Sequence, residues 1–457
     1  MTPPSLATLY RSTVVLLWAL VAYDTIACRG LFWDGTSFLA NMLEYGSVHD
    51  FYPARAHVNW VTQVPVLLLA KLGVRDVRLL AMVFTAALFG LPTGLYHFAL
   101  HRLRHDGTLL AAGIGVIAAI YLPTSFFIIG EYNATYAAAM AIVAVVLTSD
   151  GASRLDSLIL AALGVLCIAS YEAMIYLGPL LIAAVLWWMS RGRRAAPQSD
   201  DITQLLGFIA VVSLAAGVIV SSSAVIEYWN NNYFIKVRAA TFDFWQNLQF
   251  IVPLIGLGVL TLLTFARPAW LASGWPIPAV AAIGAILIST LWFRQIFQPE
   301  AMIFPPAHYV ARTAAGGLLW AVMAAMWVYA VWRDPPALLA ILHRREVGRR
   351  LATAMFVLTL CAAVPDVVLT RMWTNYLDYF HGIVTSRTGL VRAKELPLET
   401  WPYRLFAQDW SYPALSALLR ARPGQGVVVM DKTYKINPPF EPSCGTVPRL
   451  EGYSWPG

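Results

Sequence analysis

Long apolar stretches, separated by short polar segments, run along most of this 457-residue chain. An α-helix needs about 20 apolar residues to cross the roughly 30 Å of hydrocarbon in a bilayer. Stretches of about that length lie near 9–28, 77–100, 108–129, 134–149, 155–170, 173–190, 204–226, 248–266, 276–293, 310–332 and 350–370. The pattern predicts an all-α polytopic membrane protein with about eleven transmembrane helices.

Composition favours the same class. Hydrophobic residues make up 59% of the chain and charged residues 12%, with a mean hydropathy of +0.63. Soluble domains carry about 25% charged residues. The four cysteines, Cys28, Cys167, Cys361 and Cys444, form no paired spacing such as C-x-x-C. The sequence therefore indicates neither a disulfide framework nor a zinc site.

Arginine-rich segments predict the orientation of the helices. The basic segments 101–105, 191–194 and 343–350 fall on one side of the predicted spans, and cytoplasmic loops carry the excess of Lys and Arg. We therefore expect a cytoplasmic N-terminus and a periplasmic C-terminus. The same segments account for most of the net charge of +7, so no nucleic-acid partner is needed. Short loops and an Ala- and Arg-rich composition favour a bacterial inner membrane.

Two regions follow from this topology. Residues 1–370 form a transmembrane domain whose first external loop covers about 29–76, and residues 371–457 form a small external region. Apolar residues at helical spacing predict two interfacial helices in the first loop, one with Phe38, Leu39, Met42 and Leu43 and one with Val61, Val64, Leu68 and Leu72. The apolar run 427–430, after the turn 422–426, predicts a strand. The external tail is therefore expected to be a small α/β structure.

The segment Phe32-Trp33-Asp34-Gly35 opens the first external loop and carries its most conspicuous acid. Ionisable groups at the membrane surface are functional candidates, because they are costly to place there. Asp34 could accept a proton from an acceptor hydroxyl, with Trp33 as an interfacial anchor and Gly35 allowing a ligand close to the backbone. The alternative is an N-cap, provided by Asp34 or Thr36, for the helix that follows.

Three further acids are weaker candidates. Glu131, in the very short external turn before the fourth span, could be a second catalytic acid or a metal ligand, or simply a polar turn residue. Asp50 lies in the turn 49–53, and Glu172 lies at an external helix end. We expect the last two to contribute to acceptor binding if they have a functional role.

Cations on the external side could bind a negatively charged phosphate. Positive residues outside the membrane run against the usual charge bias, so they are hard to explain as topology signals. Arg is well suited to phosphate, since its planar fork bonds two oxygens at once. The candidates are Arg55, Lys236, Arg238, Arg294, His308 and Arg312, with His57 beside the first. Arg294 and Arg312 could instead be residues that snorkel at helix ends.

The number of spans, the acid early in a long first external loop, and the small external C-terminal part resemble the GT-C glycosyltransferases. These are membrane enzymes that take a sugar from a polyprenyl or dolichyl phosphate. The resemblance covers most of the chain as architecture, but as a motif it covers only Trp33-Asp34-Gly35. It implies that Asp34 is the catalytic base or its organiser and that Glu131 supports it.

The chain departs from this family at two points. Many members carry two consecutive acids in the first loop, whereas Gly35 follows Asp34 here; a divalent metal ion is therefore left open as a cofactor, and no other is expected. The branch that adds mannose to glycolipid anchors has a Trp-Asp pair followed by a His, which Thr36-Ser37-Phe38 lacks.

The resemblance implies transfer with inversion at the anomeric carbon. The donor would be a polyprenyl-phosphate-linked sugar, and the acceptor a lipid, glycan or protein at the external face. Two alternatives use related substrates. An O-antigen ligase or polysaccharide polymerase usually has its large external loop late in the chain, whereas here it comes first. A transporter or flippase of lipid-linked sugars commonly shows repeated halves and charges at the bilayer midplane.

Overall fold

The structure is a computed structural model that describes residues 4–49, 53–125, 130–149, 153–195, 201–229, 305–332, 337–400, 403–429 and 448–456, together with 278, 281, 282, 284 and 285. The expected spans 248–266 and 276–293 and the expected external segments 227–247 and 294–309 lie wholly or largely outside these residues. The described chain is predominantly helical.

The helices, in chain order, are α1 (Leu6–Ile26), α2 (Asp34–Tyr45), α3 (Ala56–Lys71), α4 (Val77–Leu103), α5 (Gly107–Val116), α6 (Leu122–Ser125), α7 (Glu131–Thr148), α8 (Arg154–Ile168), α9 (Met174–Ala195), α10 (Asp201–Tyr228), α11 (Pro305–Val331), α12 (Ala337–Leu342), α13 (Arg345–Ser386) and α14 (Tyr412–Leu418). A π-helical turn, Ile117–Tyr121, joins α5 to α6. The strands are β1 (Leu390–Arg392) and β2 (Val427–Val429).

Within the described residues, seven helical segments are long and apolar enough to cross a membrane. They are α1, α4, the continuous segment Gly107–Ser125, α7, α9, α10 and α13. Helix α8, with 15 residues, and the apolar part of α11, Ala315–Val331, are shorter. The protein is therefore a helical membrane protein, and the total of eleven spans stays a prediction.

Helix α10 shows how such a helix is packed. Apart from Leu214, its buried positions are small or polar, including Gly207, Ala210, Gly217, Ser221 and Ala224. Its large apolar residues, such as Ile202, Leu205, Phe208, Val212, Ile219 and Ile226, are exposed. Small residues at helix contacts with large apolar residues outside are typical of helices surrounded by lipid.

The chain folds into two compact units. The bundle unit comprises Met1–Leu17 and Pro92–Asp366, and the loop unit comprises Trp18–Leu91 and Val367–Gly457. The boundaries fall inside α1, α4 and α13. The C-terminal residues expected to form a small external tail thus belong to the same unit as the first loop.

Helix α2 is present, but its apolar residues do not lie in a membrane interface as predicted. Phe38, Leu39, Met42 and Leu43 are buried inside the loop unit. Helix α14 packs against α2 and its own residues are buried throughout. The amphipathic pattern of α2 therefore reflects a protein core.

Helix α3 differs from α2, because several of its large apolar residues are exposed. The polar residues Asn59, Thr62 and Gln63 are buried, whereas Val61, Leu68 and Leu72 are 48%, 57% and 81% exposed. The inward face also carries Val58, Val66, Leu67 and Ala70. Large apolar residues this exposed on the other face are expected where the helix contacts lipid. This agrees with the predicted interfacial role of the second loop helix.

The C-terminal part of the loop unit begins within a helix. Helix α13 does not end near residue 370 but continues to Ser386, because Trp373, Tyr376, Leu377, Phe380 and Val384 bury a continuous stripe at helical spacing. Strands β1 and β2 then pair in parallel, with Leu390 opposite Val427 and α14 between them in the chain. The predicted strand is confirmed at Val427–Val429.

Candidate functional site

The segment between α1 and α2 has an unusual backbone. Among the described non-glycine residues only Cys28 and Trp33 have positive φ. Cys28 is left-handed, with φ 49° and ψ 37°, whereas Trp33 has φ 50° and ψ −119°, a combination that residues with a side chain rarely adopt. One 3-10 turn, Arg29–Leu31, lies between them. Such strain persists only where the surroundings enforce it, and it clusters at functional sites.

A buried ion pair holds this turn. Arg29 Nη1 donates to Asp24 Oδ1 at 3.0 Å, and the Thr370 hydroxyl donates to the same oxygen at 3.1 Å. The guanidinium also lies 4.9 Å from the ring centre of Phe89. The side chains of Arg29 and Asp24 are 0% and 4% exposed. The pair therefore ties the turn to residues of α1, α4 and α13 without contact with solvent.

Neutral hydrogen bonds fix the backbone of the same turn. The Gly30 N–H donates to Thr85 Oγ1 at 3.0 Å, and Trp373 Nε1 donates to the Ala27 carbonyl at 3.1 Å. A Cβ on Gly30 would lie 2.7 Å from the Thr85 hydroxyl and 3.0 Å from its Cα. Glycine is therefore required where the turn meets α4.

Aromatic packing completes the support on the side of Trp33. Phe32 is fully buried and stacks on Trp33 with ring centres 4.9 Å apart. Phe32 also meets Trp373 and Phe406 edge-on, at 5.6 and 6.2 Å. These contacts offset the strain of the Trp33 backbone and leave its own side chain half-buried.

Asp34 is the point at which this segment reaches the surface. Of the 17 residues from Ala27 to Leu43, Asp34 alone is exposed, Trp33 is half-buried and the other 15 are buried. Asp34 is the first residue of α2, and Trp33 occupies the N-cap position without a side-chain hydrogen bond. The N-cap interpretation of Asp34 or Thr36 is therefore wrong, since the Thr36 hydroxyl donates to the Leu31 carbonyl instead. A carboxylate in the first turn still benefits from the positive end of the helix dipole.

A polar cluster lies further along the same face of α2. Residues 34, 38 and 41 share one helix face because they are spaced by four and three. The His49 ring packs on Phe38 at 4.8 Å, and its Nδ1 lies 3.2 Å from Asn41 Nδ2. Gln63 of α3 accepts the His49 N–H at 2.7 Å and donates to its carbonyl at 3.3 Å. Sequence reasoning did not identify this cluster, because its histidine and amides show no fixed spacing by which to find it.

Glu131 lies in the bundle unit and differs from the prediction. It is the first residue of α7 rather than a residue of a short turn, and it is 4% exposed. The adjacent Tyr132 hydroxyl donates to the Thr124 carbonyl at 3.0 Å, and the Ser125 hydroxyl donates to Asp366 Oδ1 at 3.3 Å. Helix α6 therefore connects the start of α7 with a buried acid of α13 that sequence reasoning passed over.

A tyrosine pair lies deeper in the bundle unit. The Tyr136 and Tyr176 hydroxyl oxygens are 3.1 Å apart. A Cβ on Gly316 of α11 would overlap both hydroxyl groups, whereas one on Gly317 would meet nothing within 4 Å.

Glu172, the third predicted acid, is half-buried in the turn before α9.

Among the predicted phosphate-binding cations, the structure describes the side chain of Arg55. It is half-buried at the end of the 3-10 turn Pro53–Arg55 and occupies the N-cap position of α3. His57, in the first turn of that helix, is also half-buried. The remaining predicted site residues lie outside the described positions or have side chains outside them: Asp50, Lys236, Arg238, Arg294, His308 and Arg312.

Cys28, immediately before the turn Arg29–Leu31, carries a thiol of low reactivity. Burial raises the pKa of Cys28 to about 12. A thiolate, not a thiol, is the nucleophile in cysteine chemistry, so the side chain contributes packing to this segment. Within the described chain, no group of three or more His, Cys, Asp or Glu residues is arranged to hold a metal ion.

Comparison with protein-family models, with curated proteins and with solved structures found no match to this chain.

Proposed function

We propose that this protein is a GT-C-like glycosyltransferase that moves a sugar from a polyprenyl-phosphate carrier to a hydroxyl of a lipid, glycan or protein at the external face of the membrane. The observation that carries the proposal is the isolated exposure of Asp34. Fifteen of the residues around it are buried, and a strained backbone held by a buried ion pair fixes where it emerges.

Asp34 acts as the general base in this proposal. The acceptor oxygen attacks the anomeric carbon from the face opposite the carrier, and its proton passes to the Asp34 carboxylate. The bond between the anomeric carbon and the phosphate oxygen breaks, and the polyprenyl phosphate leaves with the electron pair. A positioned base of this kind contributes about 10²- to 10⁴-fold to the rate.

The leaving phosphate needs cations rather than an acid, because it departs without being protonated. Preorganised positive groups stabilise such developing charge. Arg55 is suited to this role because it lies in the same loop unit as Asp34 and is half-buried. Lys236, Arg238, Arg294, His308 and Arg312 are proposed to contribute to binding of the donor phosphate.

Glu131 has a supporting role in this proposal. Because Glu131 is 4% exposed, we propose that it acts on the reaction indirectly, by holding the elements around it. Helix α6 bonds both to Tyr132, the neighbour of Glu131, and to Asp366. We therefore propose that Glu131 and Asp366 help to maintain the packing of the bundle unit. Asp50 and Glu172 are proposed as acceptor contacts.

One observation favours a transporter as the second candidate. Asp366 is buried near the middle of the 42-residue helix α13, and buried acids inside membrane helices often mark substrate pathways. The π-helical turn Ile117–Tyr121 in a spanning segment points the same way, because π-bulges are frequent at functional sites.

The test is release of free polyprenyl phosphate, detected by mass spectrometry after incubating purified protein with a panel of polyprenyl-phosphate sugars and an acceptor extract. Asp34→Asn should abolish release while the protein stays folded. Asp76→Asn is the matched control, since Asp76 is also an exposed helix-terminal acid of the loop unit and Asn preserves its capping role. If no donor yields free carrier but sealed vesicles accumulate lipid-linked sugar, the transporter is favoured instead.

A further inference from the structure

A cavity of about 580 Å³ lies in the bundle unit, and none of the residues assigned to the proposed reaction lines it. Its walls come from the start of α1, the turn between α4 and α5, the end of α11 and the turn between α12 and α13. It therefore lies beside the basic segments 101–105 and 343–350.

The helix ends place this cavity at the level of lipid head groups. Three candidate membrane spans begin at its wall: α1 at Leu6, the α5–α6 segment at Gly107 and α13 at Arg345. The ends of spanning helices lie where hydrocarbon gives way to the polar interface. A ligand in this cavity would thus be level with lipid phosphates, in the leaflet that the arginine bias predicts to be cytoplasmic.

Close backbone contact makes this part of the unit rigid. A Cβ on Gly107 would lie 2.6 Å from the Gly348 carbonyl carbon, so the first turns of α5 and α13 touch through two glycines. The Thr108 hydroxyl also donates to the Leu342 carbonyl at 2.6 Å. Two helix N-termini, whose partial positive charge favours anions, are thereby fixed side by side.

The two carboxylates in the wall already have partners. Asp106 accepts the N–H groups of Thr108 and Leu109 at 2.9 and 3.0 Å and the Tyr329 hydroxyl at 3.1 Å. Glu346 bonds Arg349 at 2.6 Å and Arg350 at 2.9 Å. Each negative charge in the wall is therefore offset, by a helix N-terminus for Asp106 and by arginines for Glu346.

Two further arginines contribute positive charge beyond this balance. Arg344 and Arg345 line the cavity and are exposed. Beside them, the His343 ring stacks on Tyr329 at 4.2 Å, which orients the turn that carries both arginines. The wall thus offers two guanidinium forks, each able to bond two oxygens of one anion.

We propose that this cavity binds the phosphate group of an anionic membrane lipid. The walls combine the guanidinium groups of Arg344 and Arg345, the N-terminus of α13 and the apolar residues Leu6 and Leu342. A basic pocket between membrane helices at this depth is of the kind that binds acidic lipid head groups. The site is independent of Asp34 and of the proposed transfer reaction.

The test uses full-length protein in mixed micelles with equal amounts of phosphatidylglycerol and phosphatidylcholine, followed by native mass spectrometry of the retained lipid. We expect wild type to retain phosphatidylglycerol preferentially. The pair Arg344→Gln and Arg345→Gln should weaken its retention about tenfold or more, as expected for lost hydrogen bonds to a charged group. The control pair is Arg193→Gln and Arg194→Gln, which removes the same charge from exposed positions outside the cavity.

Equal loss in both pairs, or no preference for phosphatidylglycerol in wild type, would overturn the proposal. Thermal unfolding of each variant checks that the protein is folded. A parallel binding assay with radiolabelled inorganic phosphate separates the two sources of the group. Phosphate binding that depends on Arg344 and Arg345 without lipid retention would contradict a lipid ligand and assign the cavity to a soluble phosphate.

Discussion

Asp34 and Glu131 are each the first residue of a helix, yet their environments are opposite. Asp34 is exposed among buried neighbours, whereas Glu131 is buried at the start of a helix that is buried over most of its length. Their N-cap residues differ too, with Trp33 at φ 50° and Gly130 extended at φ 179°. A helix-initiating acid near the membrane surface therefore has no fixed role, because the packing around it decides whether it can meet a substrate.

The two units achieve these environments by different means. In the loop unit, the ion pair of Arg29 and Asp24 and the glycine contact at Gly30 hold a strained turn. In the bundle unit, tyrosine hydroxyls and close helix contacts fill the interior, as at Tyr136 and Tyr176. The first arrangement brings one residue to the surface, and the second packs buried side chains against one another.

The largest expected effect comes from breaking the buried ion pair of Arg29 and Asp24, which we call the clamp of the loop unit. Arg29→Met leaves the Asp24 carboxylate buried without its main partner, and we expect it to lower the free energy of unfolding by about 3–5 kcal/mol. The double variant Asp24→Leu with Arg29→Met should recover most of that loss, because replacing both charges removes the buried unpaired group. Thermal unfolding in detergent measures both.

The control for the clamp is the more exposed ion pair of Arg102 and Asp156, whose side chains are 23% and 8% exposed. Arg102→Met should cost less than Arg29→Met. If the two variants unfold at the same temperature, the buried ion pair of the loop unit contributes no more to stability than the more exposed pair of the bundle unit.

Overpacking of the tyrosine pair is the next largest effect. Gly316→Ala should destabilise the bundle unit by about 1–3 kcal/mol, because its Cβ has no room beside the two hydroxyls. Gly317→Ala is the matched control on the same helix and should be neutral or slightly stabilising, since alanine favours helices. Equal stability of the two variants would show that the Tyr136 and Tyr176 side chains can shift to make room for the added methyl group.

Glu131→Gln tests whether Glu131 has a supporting role in transfer, in contrast to the direct role proposed for Asp34. We expect this variant to stay folded and to lose about tenfold in transfer rate, comparable to one hydrogen bond to a charged group. That is less than the loss expected for Asp34→Asn. A complete loss of transfer with unchanged unfolding would give Glu131 a direct catalytic role and remove the distinction.

The smallest expected effect concerns Cys28. Burial raises the pKa of Cys28 to about 12, so the thiol stays largely protonated at both pH 7 and pH 9. A variant that keeps Cys28 as its sole cysteine should therefore resist maleimide at both pH values and react after denaturation. Rapid labelling of the folded protein would show that the clamped turn opens.

The predicted spans that fall on described residues coincide with helices. The expected bounds of α4, 77–100, differ little from the observed Val77–Leu103, because a long apolar run leaves few alternatives. The strand at Val427–Val429 was also predicted. The length of α13 was not, because polar residues between the buried ones lower the hydropathy of the segment beyond residue 370.

The candidate site was predictable only in part. Asp34 could be selected from its place after the first apolar run, but its isolated exposure could not. The clamp joins Arg29 to Thr370, which is 341 positions away, and no local pattern indicates such a contact. The place of Glu131 inside α7 was likewise missed, since the sequence alone suggested a short turn at that position.

The central claim is that the exposed acid of the loop unit carries the chemistry. Its most direct test is a single-preparation comparison of free polyprenyl phosphate released per folded molecule by wild type, Asp34→Asn, Glu131→Gln and Asp76→Asn. We expect a loss of about 100-fold or more for Asp34→Asn, a smaller loss for Glu131→Gln and none for Asp76→Asn. Release by Asp34→Asn at the wild-type rate would contradict the claim.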